Sequence, residues 1–92
     1  MASVSIEIVR YTDNHPPGFV ECRLVDVTGR IWLFQEKVPI VSAEYLGPDD
    51  EYPRPSTVDC VVLHRDGAVV RIGVDPCSEY FECDVPAAMV EE

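Results

Sequence analysis

"FVECRLVDVTGRIWLFQEKV", residues 19–38, consists of two runs of strand-forming residues joined by a polar break at Gly29. Val, Ile, Phe and Trp suit a pleated, half-buried surface, and the apolar residues alternate, so the stretch reads as an antiparallel hairpin. Two turns compete for it. A two-residue turn at Thr28-Gly29 sets Val25 opposite Trp32 and Arg23 opposite Phe34, which mixes charges with aromatics on one face. A three-residue loop, Val27-Thr28-Gly29, with Gly29 in the left-handed conformation of a bulge, pairs Asp26 with Arg30, Leu24 with Trp32 and Cys22 with Phe34. The second register sorts the faces. Val20, Cys22, Leu24, Trp32 and Phe34 look inward, with Val38 continuing that face, and Glu21, Arg23, Gln35 and Lys37 look outward. Val25, Ile31 and Leu33 are left on the outer face, which predicts that this face is partly covered as well.

Working outward from the hairpin, Pro39 interrupts a run that stays apolar through Ile40, Val41, Tyr45 and Leu46. Proline lacks the amide hydrogen of a ladder and is confined to edges, strand starts and bulges. The expectation is a corner, at which the strand bends and its continuation rejoins the sheet around the core. Upstream, Val4, Ile6 and Ile8 alternate with Ser5 and Glu7 as a half-buried strand, followed by the turn residues "DNHPPG". Downstream, "GPDDEYPRPST" (47–57) is an acidic, proline-rich loop. "VDCVVLHRDGAVVRIGVD" then carries Asp66-Gly67 between apolar runs, a strong hairpin signal. A two-residue turn there sets Leu63 opposite Val70 and Val61 opposite Ile72. Phe81, Cys83 and Val85 alternate as a last strand. With no repeat and no linker, the 92 residues predict one all-β domain, a barrel or sandwich of about six or seven strands.

The charge narrows the possible partners. Seventeen acidic residues face seven Lys and Arg, a net of −10. Affinity for nucleic acid or an anionic membrane comes from basic side chains on phosphates, so neither is an expected partner. A basic protein is the electrostatically compatible one. The opening "MASVSIEIVRYTD" lacks the basic and apolar regions of a signal peptide, and no window reaches the length of a membrane span, so the expected location is the cytoplasm. Cys22, Cys60, Cys77 and Cys83 are accordingly expected as free thiols, although oxidation of four cysteines would leave three pairings open.

Motifs for chemistry are absent. No Cys pair has the spacing that puts two sulfurs on one zinc ion, so neither a metal nor a cofactor is expected. "HRDG" (64–67) has neither the downstream Asn nor the glycine-rich loop of a kinase, and His15 in "NHPPG" has no spaced nucleophile. Asp49-Asp50-Glu51 lacks the alternating ligands of a calcium loop. Surface recognition remains. Tyr52 and Arg54 on a proline-stiffened loop, flanked by Asp49, Asp50 and Glu51, with His64 on the following strand, are the candidate binding residues.

The run "HPPGFVECRLVDVTGRIWLFQEKVPIV", continued by "YPRPSTVDC", resembles small bacterial proteins of unassigned function over roughly residues 14 to 60. They share the Pro-Gly-Phe-Val-Glu-Cys strand, the glycine-turned hairpin and the Glu-Lys-Val-Pro segment. The resemblance implies a bacterial, cytoplasmic, single-domain protein and brings no catalytic residue. Together these readings predict a non-catalytic protein-interaction domain with an acidic surface, in an inhibitor, immunity-type or adaptor role. The alternative is a small-ligand-binding barrel with a pocket between the Pro39 corner and the 47–57 loop.

Overall fold

The computed structural model describes residues 1–92. Seven strands form: β1 (Ala2–Asp13), β2 (Phe19–Val25), β3 (Ile31–Lys37), β4 (Arg54–Asp66), β5 (Val69–Val74), β6 (Phe81–Pro86) and the short β7 (Val90–Glu91). They lie in the order β3-β2-β1-β4-β5-β6, every pair antiparallel, with β7 beside β1. The architecture is two three-stranded meanders joined along β1 and β4 and curled into an open half-barrel. The all-β expectation holds, and the curvature favours the barrel.

Alternation builds the interior. Val4, Ile6 and Ile8 of β1, Val20, Cys22 and Leu24 of β2, and Val70, Ile72 and Val74 of β5 are all buried and belong to one core cluster. Fully burying side chains of this size stabilises the fold by about 1.5–3 kcal/mol each. The β2–β3 register matches the three-residue loop, with Leu24 opposite Trp32 and Cys22 opposite Phe34, and Gly29 has a φ of +85°.

Three expectations are corrected. After Lys37 the chain does not rejoin the sheet as a strand. Val38–Val41 forms one helical turn, α1, with Pro39 in its first turn, where the missing amide hydrogen costs nothing. Residues 38–53 then cross to β4, dropping Val38, Val41 and Leu46 into the core on the way. The β4–β5 turn is also displaced. Its central residues are Gly67 and Ala68, closed by Asp66 opposite Val69, and a bulge between Val62 and His64 sets Val62 opposite Ile72. A turn centred on Asp66-Gly67 would demand a positive φ at Asp66, whereas the observed one needs it only at Gly67, where φ is +62°. The outer face of the first hairpin is the third correction. Val25, Ile31 and Leu33 are 43%, 55% and 59% exposed, so this face is left largely open to solvent.

Candidate functional site

The loop expected over 47–57 is cut short at residue 53, because Arg54–Thr57 already belong to β4 and pair with β1, and the 47–53 segment that remains is braced largely on itself. Asp50 Oδ2 accepts from the Gly47 amide at 2.7 Å, and the Tyr52 hydroxyl donates to the Gly47 carbonyl at 2.8 Å. The Tyr52 ring packs on the core, and burial, followed by the Asp50 carboxylate, raises its pKa. Arg54 Nη2 lies 4.0 Å from Glu44 Oε2, while Asp49 and Glu51 are exposed. The adjoining hollow, about 460 Å³, is lined by Asp50, Glu51, Pro53, Arg54 and Pro55, with no large apolar side chain. His64 is not brought to this group. It sits exposed opposite Arg71, ten residues along β4 from Arg54, or roughly 30 Å at strand rise. The space between α1 and the loop is filled rather than open: Leu46 and Val41 are buried there, and the Ser56 hydroxyl donates to the Val41 carbonyl.

Sequence reading passed over Glu36, a carboxylate only 5% exposed. The signal was present in the chosen register, which sets Glu36 opposite Val20 on the inner face. Its Oε1 accepts from the Lys37 amide at 2.9 Å. Burial pushes the Cys22 thiol up to about 12, with Glu36 and Cys77 adding to the shift, and Cys77 is raised by burial and then by Glu36. A buried thiol held protonated in this way is a poor nucleophile, which suits Cys22 to packing, whereas Cys77 is exposed. No group of three or more His, Cys, Asp and Glu side chains is arranged to hold a metal ion, and no helix is long and apolar enough to cross a membrane.

The first hairpin presents a different surface. Asp26 fixes its turn: Oδ1 accepts from the Thr28 amide (2.8 Å), the Thr28 hydroxyl (2.7 Å) and the Arg30 amide (3.0 Å), and Oδ2 accepts from Trp32 Nε1 (3.0 Å). These donors, the Thr28 and Trp32 side chains foremost, hold the Asp26 carboxyl down at about 2. Across the outer face Val25 pairs directly with Ile31, and Leu33 lies two residues further along β3, opposite Arg23. Arg23 is paired in turn with Glu7. A shallow hollow of about 360 Å³ runs past Leu33 between Arg10, Glu21 and Ser78.

The rim of this surface is an unfinished sheet edge. In an antiparallel pair alternate residues turn their peptide groups toward the partner strand and the others turn theirs away. Asp26 N–H donates to Arg30 C=O and Val38 N–H to Gly18 C=O, each at 3.0 Å, so the even residues of β3 bond to β2. Ile31, Leu33 and Gln35 therefore face outward. Gln35 is satisfied there, donating to Ser78 Oγ at 3.1 Å and accepting from Cys77 Sγ at 3.1 Å. The peptide groups of Ile31 and Leu33 meet no protein partner.

On β6 the same reasoning, anchored by Ala87 N–H donating to Ala68 C=O at 2.7 Å, turns Glu82 and Asp84 away from β5. The two edges face each other across a seam. It is pinched at one end by Val27 N–H on Asp84 C=O (2.9 Å) and at the other by the Gln35–Ser78 bond. Elsewhere β3 and β6 are for the most part more than 8 Å apart, Cα to Cα. Side chains close the gap from within. Trp32 stacks on Phe81 with ring centroids 5.0 Å apart and planes 10° from parallel, and Phe34 meets Phe81 at 5.5 Å. The Arg30 guanidinium lies 3.7 Å from the centre of the Trp32 ring.

Compared with known proteins, the chain matches no family model, no curated protein and no solved structure. The geometry of this edge is therefore the basis for a functional reading.

Proposed function

We propose that this chain is a non-catalytic protein-interaction domain that receives a basic protein partner on the outer face of the β2–β3 hairpin. The observation that carries this reading is the contiguous apolar group Val25, Ile31 and Leu33, exposed on a protein of net charge −10 and rimmed by charged side chains. Apolar side chains left in water at neighbouring positions mark interaction sites when they cluster, and the net negative charge of the whole chain favours encounter with a cationic protein. The ligand-binding alternative has less support, since the interior beside α1 is occupied by Val38, Val41 and Leu46.

The test compares immobilised wild-type protein with the Ile31→Ser, Leu33→Ser double variant in lysate of the source organism. Both substitutions lie on the solvent side and leave the ladder to β2 intact. A defined set of proteins should elute from the wild type with salt and be missing from the variant. The same set on both columns would remove the assignment to this face.

A further inference from the structure

The hairpin face ends on an edge whose peptide groups are free, and this specifies how a partner can dock as well as where. A strand laid between two edges needs them about 10 Å apart, twice the ladder spacing. The seam between β3 and β6 exceeds 8 Å over most of its length and offers free peptide groups from both sides: Ile31 and Leu33 on β3, Glu82 and the Asp84 amide on β6. We propose that the seam, between its Val27–Asp84 and Gln35–Ser78 bonds, takes up a short extended segment of the partner as an added strand alongside Ile31 and Leu33, an inference that rests on the interaction role above.

The walls dictate the segment's composition. Its inward side chains would meet the stacked rings of Trp32 and Phe81, which already fill the floor, so these positions must be small. Its outward side chains lie between Ile31 and Leu33 on one side and the carboxylates of Glu82 and Asp84 on the other. Arg71, 3.7 Å from Glu82 and 3.4 Å from Asp84, is the only cation paired with them. Alternating small residues with Lys, Arg or aliphatic ones satisfies both faces. A second copy of this chain is a poor occupant, because two molecules each carrying a net charge of −10 repel at close range. Main-chain hydrogen bonds supply the affinity in this mode and alternate side chains the selectivity.

The probe is a displayed library of random octapeptides selected on the immobilised wild-type protein, with the best sequences synthesised plain and with backbone N-methyl groups at alternate residues. Strand addition requires selected sequences with period two, small and basic or aliphatic in turn. It also requires new hydrogen-exchange protection at the amides of Ile31, Leu33, Glu82 and Asp84, and loss of binding on N-methylation.

On the protein side, Leu33→Pro deletes an outward amide and spares the β2 ladder, and Leu33→Ala removes the same side chain but keeps the amide. The proline variant should bind about tenfold more weakly than the alanine variant. Equal affinity of the two, tolerance of N-methylation, or protection mapped to other strands would each overturn strand addition. If the Ile31→Ser, Leu33→Ser variant still loses its partners in that event, the interaction role stands alone; if it retains them, both fall.

Discussion

Shutting the seam with side chains instead of a ladder makes the Trp32–Phe81 stack a measurable contributor to stability. Phe81→Ala removes the ring that meets both Trp32 and Phe34. Full burial would set the cost at about 3–5 kcal/mol, and the partial exposure of Phe81 reduces it to about 2–3 kcal/mol. Trp32→Leu should cost a similar amount, because it loses the stack, the Arg30 contact and the bond to Asp26. A stacked pair at this separation contributes about 1 kcal/mol beyond the area it buries. The double variant should therefore be less destabilised than the sum of the singles by that amount, against a total stability of about 5–14 kcal/mol for a chain of this length. Urea unfolding followed by circular dichroism measures all four proteins, fluorescence being unsuitable because Trp32 is the only tryptophan. Additivity to within about 0.3 kcal/mol would show that the rings do not close the seam together, and the reasoning would fail.

Other outcomes follow from the same geometry. Asp26 titrates at about 2 in the fold against 3.8 ordinarily, so its contribution is complete above about pH 4 and disappears as the pH falls through about 2. Asp26→Asn, which cannot ionise, should flatten the dependence of Tm on pH between 4 and 2; parallel curves for variant and wild type would contradict the role given to its four donors. Leu46→Ala should cost about 2–5 kcal/mol, as for a strand core residue, if the crossover is packed as described, and a loss below about 1 kcal/mol would place that segment outside the core. With a disulfide-exchange reagent at pH 8, one thiol, Cys77, should react slowly in the native protein and all four in urea, since the other three are buried. Rapid native reaction of two or more would rule out that packing.

The first hairpin was legible because sorting its charges left one acceptable register, with Gly29 free to take the positive φ of the bulge. The second was legible as a hairpin but not in register, since Asp66-Gly67 and Gly67-Ala68 are adjacent frames. The choice fell to a bulge near Leu63 that no local pattern announces. Pro39 was read correctly as a break in the ladder. Whether the chain then turned back into the sheet or left it depended on β4 pairing with β1, a long-range decision invisible at residue 39. For the candidate surface, the outward placement of Ile31 and Leu33 could be read from the alternation. Their exposure could not, because it depends on which strand becomes an edge. The 47–57 loop drew attention through Tyr52 and Arg54, and Tyr52 proves to be turned back onto its own backbone and the core.

The junction of the two meanders also bears on how the molecule is made. Residue 2 pairs with residue 60 and residue 8 with residue 54, so during synthesis β1 has no β4 neighbour until residues 54–60 have emerged. Entropy of closing so wide a loop makes this pairing slow compared with the local hairpins. During that interval Val4, Ile6 and Ile8 lie on a strand whose edge is open, a ribbon able to pair with neighbouring chains.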